Sequence, residues 1–106
     1  MTTKYKYKTL YSEELEKKYG RVSFGKFLAS WRLCEEWTQK EFAKKLAISP
    51  ANLCDLEQGR RIPSPSRAKK IAKKLGLSEK AILIMVLEDR LHQEGLHYKV
   101  ELKEVA

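Results

Sequence analysis

The segment Thr38-Gln39-Lys40-Glu41-Phe42-Ala43, continued by Ile48-Ser49-Pro50-Ala51-Asn52-Leu53 and Leu56-Glu57-Gln58-Gly59-Arg60-Arg61, decides the fold. Thr38 and Glu41 have the S/T-x-x-E spacing of a capping box, which opens a helix. Phe42, Ala43 and Leu46 face its core side. Ser49 followed by Pro50 is an N-cap with proline at the first helical position, where a missing N–H costs nothing. That second helix buries Leu53 and Leu56 and ends at Gly59. Two short helices joined by a tight turn, the second with a polar, exposed leading edge, can lay one helix in the major groove of DNA.

Working outward, Ser23 caps a preceding helix in which Phe24, Phe27, Leu28 and Trp31 fall at i, i+3, i+4 and i+7, one apolar stripe. With Trp37 and Phe42 these aromatics read as packing rather than as a stacking platform for single strands. Ser64-Pro65 repeats the cap-plus-proline signal, and Ala68, Ile71, Ala72 and Leu75 make the next stripe, closed by Gly76. Ser78 caps a last helix, from Ala81 to about Glu94, whose first half is apolar nearly all round. A surface helix needs only one apolar face, so the excess predicts a second surface that covers it. Leu96, Tyr98, Val100 and Leu102 then alternate with polar residues, which predicts a strand. Its ladder partner is either the Tyr5/Tyr7 segment or, as we favour, the same strand of a second chain. Ser12-Glu13-Glu14-Leu15 starts a short helix that Gly20 stops.

The 106 residues suit one folding unit with a modest core and little room for a deep cavity. Hydrophobic content of 42% with 34% charged residues predicts a soluble globular protein. A net charge of +8 points to a polyanionic partner, usually nucleic acid. The charge is uneven: residues 1–80 carry 19 Lys/Arg against 9 Asp/Glu, whereas residues 81–106 carry 3 against 5. The basic surface therefore travels with the two-helix motif. Cys34 and Cys54 have no metal-like or redox spacing and are expected as reduced thiols in a cytoplasmic protein. No apolar run approaches the roughly 18 residues of a membrane span. His92 and His97 lack the partners of a metal site and read as surface residues. No catalytic residue, metal or cofactor is expected, because the chain has no paired nucleophile and base and no phosphate-cradling glycine loop.

Residues 24–76 resemble the helix-turn-helix of the lambda-repressor/Cro-like family, also called the XRE family. The resemblance rests on Arg32, Thr38-Gln39, Phe42-Ala43, Ile48-Ser49, Leu53, Leu56-Glu57, Gly59-Arg60 and Pro63-Ser64. The chain also resembles antitoxin-type members of the HigA or HipB kind, through Cys54 to Arg61 and the Gly95 to Leu102 tail. The resemblance implies a mainly α fold. It would be a lambda-repressor-like five-helix domain with an added C-terminal helix and a terminal β-strand for dimerisation. The expected organisation is an N-terminal extension over 1–22 (arm and short helix), the DNA-binding domain over 23–77, and the dimerisation helix and strand over 78–106. One departure is Ala47, where the family usually has glycine in a left-handed turn position; alanine adopts it at a cost of roughly 1 kcal/mol.

Roles follow for single residues. Pro50, Ala51, Asn52 and Asp55 are expected on the outward side of the second motif helix as base contacts. Asn52 can pair with adenine and Ala51 can touch a thymine methyl. Asp55 either accepts from cytosine N4 or only solvates the helix, since an acid near phosphates is repelled. Pro50 acts through shape. Thr38, Gln39, Ser49, Arg60, Arg61, Arg67 and Lys69 are expected to contact phosphates, Gln39 with the free N–H groups of its helix end. Lys70, Lys73 and Lys74 read as a solvated basic face. The family pattern implies an ion pair between Arg32 and Glu57 that ties the preceding helix to the reading helix. The expected dimer interface is Ile82, Met85, Val86, Leu96, Tyr98, Val100 and Leu102.

These readings lead to a dimeric, sequence-specific repressor on an inverted-repeat operator of double-stranded DNA. Its further expected partner is a toxin protein, in a type II toxin-antitoxin operon that it represses. The alternative is a phage-type or restriction-control regulator without a toxin. An enzyme and a membrane partner are not expected.

Overall fold

Every helix among the described residues starts at a side-chain cap. The computed structural model describes residues 21–105. Five helices occupy these residues: α1 Phe24–Cys34, α2 Gln39–Leu46, α3 Pro50–Glu57, α4 Pro65–Leu75 and α5 Glu79–Gln93. Ser23, Thr38, Ser49, Ser64 and Ser78 each accept a hydrogen bond from the backbone N–H three residues on. At α2 the box is reciprocal, with Glu41 accepting from the Thr38 N–H at 2.8 Å. Each cap satisfies a donor that the helix itself leaves unpaired. The helix ends are equally local. Ala47 and Gly76 close α2 and α4 in the left-handed conformation, Ala47 at φ 59° and ψ 42°.

The apolar stripes meet in a single core. Phe24, Phe27, Leu28, Trp31, Phe42, Ala43, Leu46, Leu53, Leu56, Ala68, Ile71 and Ala72 are all buried there. Gly25 lets α1 approach α3: a Cβ at this position would overlap the Leu56 carbonyl oxygen and press on that of Glu57 at 3.0 Å. Trp37 stacks on Phe42, ring centroids 5.5 Å apart, and closes the core beneath the α1–α2 connection.

The C-terminal helix departs from expectation. Ile82, Met85 and Val86 lie in the same core, at 2%, 2% and 0% exposure. α5 packs on α4 and α1 of its own chain, so these three side chains are not a free dimer surface. These three find their cover within the chain, whereas Leu83, Ile84 and Leu87 of the same apolar run are only half-buried. Asp89 fixes the packing: its Oδ2 accepts from the Phe24 N–H at 2.9 Å, and its Oδ1 pairs with Arg21 at 2.6 Å. A helix expected as an addition to the domain is thus the fifth helix of its core.

The terminal strand is not formed. Residues 96–105 have no regular secondary structure, and no strand occurs among the described residues. A lone alternating segment has no ladder to join. It folds back on α5 instead, where the Val100 N–H donates to Glu88 at 2.9 Å. The Tyr5/Tyr7 segment and the helix expected before Gly20 lie outside the described residues.

Candidate nucleic-acid interface

The site is built by the turn between α2 and α3. The left-handed Ala47 lets its own N–H donate to Lys44 and the Ile48 N–H donate to Ala43, at 3.1 and 3.0 Å. The chain then reverses into the Ser49 cap, and Pro50 starts α3. α3 turns Leu53, Leu56 and Glu57 inward, while Ser49, Pro50 and Ala51 are exposed. Ala51 and Asp55, four residues apart, share the opposite edge, as 3.6 residues per turn dictates.

The angle of α3 is set by a polar bracket. Arg32 of α1 donates to Glu57 twice, Nε to Oε2 at 2.8 Å and Nη2 to Oε1 at 3.1 Å, and Nη1 donates to the Trp37 carbonyl at 3.2 Å. Gln39 of α2 adds a bond to Glu57 Oε1 at 3.0 Å. One buried carboxylate therefore ties three helices. Its hydrogen bonds raise the Arg32 pKa above the ordinary arginine value, against the opposing effect of burial. The geometry agrees with the ion pair that the sequence resemblance implied. It also changes the reading of Gln39, whose amide nitrogen is engaged with Glu57 rather than held free for a phosphate.

Asn52 sits differently from expectation. It is half-buried, with its Oδ1 sealed from solvent and without a hydrogen-bond partner. A bidentate pair with adenine needs both amide atoms, so this rotamer does not offer one. The residue lies on the flank of α3 and lines a cavity of about 210 Å³ between α3 and α4, together with Arg61, Arg67, Lys70 and Lys74. Lys74 is more than a solvated charge: its Nζ donates to the Leu46 carbonyl at the end of α2, at 3.3 Å.

On the outward edge Asp55 is paired. Arg60 follows α3, turns back along it, and donates from Nε to Asp55 Oδ1 at 2.9 Å. Its Nη2 lies 3.5 Å from the Cys54 sulfur. Arg60, Arg61, Arg67 and Lys69 are all exposed, but only Arg60 lies on this edge; Arg61 and Arg67 line the cavity beside Asn52, and Lys69 is 3.7 Å from Glu79 at the start of α5. The hydroxyls of Thr38 and Ser49 accept the cap hydrogen bonds, which leaves the hydroxyl protons to donate. The resulting surface is a short helix edge carrying small and polar side chains, flanked by cations and held at a fixed angle by α1 and α2.

Gly25, Arg21, Asp89 and Arg90 escaped the sequence reading. Arg90 donates to the Ile62 and Pro63 carbonyls at 3.3 and 3.2 Å and so fixes the loop behind Arg60 and Arg61. A signal existed for two of these residues. A glycine inside a helical stripe marks a close approach, and an acid among apolar helix positions asks for a partner. Farther off, His92 and His97 meet edge to face with ring nitrogens 3.4 Å apart. Among the described residues no group of three or more His, Cys, Asp or Glu side chains has metal-holding geometry, and no helix is long and apolar enough to cross a membrane.

A family model described as helix-turn-helix matches residues 28–82, from α1 into α5. No curated protein and no solved structure matches the chain.

Proposed function

The chain belongs to the helix-turn-helix family, in the lambda-repressor/Cro-like class of DNA-binding transcription regulators, and on that premise we propose that it is a sequence-specific repressor acting as a dimer. The observation that carries the reading is the Ala51–Asp55 edge of α3, set at a fixed angle by the Arg32–Glu57 bracket, with Arg60 along it and Arg61 and Arg67 on the Asn52 flank. A helix edge of this kind enters a major groove, and Arg61 and Arg67 beside it neutralise phosphates on the walls of that groove. Ala51 meets a thymine methyl there, and Pro50 shapes the entry. Asn52 contributes from the flank, toward the backbone. Thr38, Ser49 and the first-turn N–H groups of α2 hold phosphates on the strand nearer α2.

Dimerisation is proposed through the tail. Leu96 and Tyr98 are exposed at 43% and 67%, and Val100 and Leu102 are half-buried on the same segment. A two-fold arrangement places the two reading helices about 34 Å apart, so the operator is an inverted repeat. The test is selection of duplexes from a random-sequence pool, followed by footprinting. An enriched motif with two symmetric half-sites supports the proposal. Enrichment of a single half-site bound by one chain contradicts the dimer, and no enrichment contradicts sequence reading altogether.

We further propose that the operator is the protein's own promoter and that a toxin encoded beside it is the second partner. The support is the resemblance to antitoxins and the acidic, partly apolar tail; the Ile82, Met85 and Val86 side of α5 no longer contributes, since the core uses it. Co-purification with the product of an adjacent small gene supports this. Its absence favours the stand-alone regulator, which needs only the DNA-facing edge.

A further inference from the structure

We propose that Arg60 reads a guanine in the major groove and that Asp55 is the positioning residue that aims it. The inference deepens the DNA-binding role of α3 proposed above and rests on it.

Arg60 lies beyond the end of α3, yet it is tied to that helix at three places. Its backbone N–H donates to the Asp55 carbonyl at 2.9 Å. Its Nε donates to the Asp55 carboxylate at 2.9 Å, and its Nη2 lies against the Cys54 sulfur at 3.5 Å. Nε and Nη2 form one edge of the planar guanidinium, and that edge is spent on the helix. The plane is thereby fixed and the Nη1–Nη2 edge remains for a ligand; Nη1 has no hydrogen bond among the described residues. Two parallel N–H donors on a rigid fork match guanine O6 and N7. A phosphate contact asks for less, because a flexible cation satisfies it from many rotamers. Holding the fork before binding removes entropy that a free arginine loses on contact.

The pairing also accounts for the acid. An unpaired carboxylate on the edge facing DNA is repelled by every nearby phosphate. Asp55 is instead neutralised by Arg60 on the outward edge, where Asp55 is half-buried at 35% and Arg60 exposed at 59%. The same hydrogen bonds, donated by Arg60 to Asp55 and Cys54, raise the Arg60 pKa.

The test compares wild type, Arg60→Lys, Asp55→Ala and Asp55→Asn on the duplex enriched by the wild type and on that duplex changed one base pair at a time. The wild type is expected to prefer guanine at one position of each half-site by roughly tenfold to a hundredfold. Arg60→Lys and Asp55→Ala are expected to lose that preference while keeping the others, since lysine has no fork and the alanine variant has no guide. Asp55→Asn retains an oxygen that accepts from Nε and is expected to keep part of the preference. If Asp55→Ala tightens binding to all duplexes alike and leaves the guanine preference intact, Asp55 is only a repelling charge and the inference falls. If no guanine position responds to Arg60→Lys, it falls as well. Failure of the wild type to select any sequence overturns the DNA-reading role and takes this inference with it; the variant outcomes overturn the inference alone.

Discussion

Arg32 and Glu57 are 25 positions apart in the chain and share two hydrogen bonds, at 2.8 and 3.1 Å, across the junction of α1 and α3. Glu57 has 3% of its side chain exposed, so it depends on its partners for compensation. Arg32→Ala leaves that carboxylate buried with only Gln39 as donor. Loss of one partner of a buried pair costs about 3–5 kcal/mol. Denaturant unfolding of this variant is expected to show a loss of that order, with a much smaller loss for the Arg32→Met/Glu57→Leu double variant. The raised Arg32 pKa has a further consequence. A group whose folded pKa lies above its unfolded value contributes fully below the unfolded value. The Arg32 contribution is therefore expected to stay constant from about pH 6 to about pH 10 and to fade only in strong alkali.

Gly25→Ala sets two effects against each other. Alanine favours a helix over glycine by about 1 kcal/mol. The added Cβ overlaps the Leu56 carbonyl, which is backbone and yields only if α1 and α3 separate. Overpacking of this kind costs about 1–3 kcal/mol, so a net fall in the thermal midpoint is expected.

Ala47→Gly runs the other way. At φ 59° the alanine Cβ is strained, and glycine removes the strain at the cost of a freer unfolded chain. A gain of up to about 1 kcal/mol is expected by denaturant unfolding, with DNA binding retained. A loss would mean that the turn is held by contacts the backbone angles do not reveal.

Ile82→Ala tests the place of α5. The side chain is buried against its own chain, so a cavity cost of about 2–5 kcal/mol is expected. That cost is expected to be the same at all protein concentrations. A destabilisation that disappears on dilution would return Ile82 to a surface between two chains.

The parts of the fold readable from sequence are those whose chemistry is local. Caps at Ser23, Thr38, Ser49, Ser64 and Ser78 each need a hydroxyl and a donor three residues away, and both lie within the same short segment. The left-handed Ala47 came from the family resemblance, which puts glycine at that turn position, rather than from the residues themselves. Less was readable where an interaction spans distant parts of the chain. Periodicity shows that Ile82, Met85 and Val86 need cover but not whether α1 and α4 or a second chain provides it. Alternation in Leu96 to Leu102 shows two faces but supplies no ladder. In the site, helical spacing put Ala51 and Asp55 on one edge. It was silent on the inward rotamer of Asn52, on the engagement of Gln39 with Glu57, and on the return of Arg60 to Asp55, because side-chain torsions decide these.

The central claim is that the Ala51 edge of α3 meets the bases. Its most direct measurement is equilibrium binding of Ala51→Glu and wild type to the duplex that the wild type selects, with folding checked by circular dichroism. Ala51 is exposed, so the change leaves the core untouched. The result expected is a folded variant whose preference for that duplex over random sequence is lost. A folded variant that binds the selected duplex as tightly as wild type would contradict the claim.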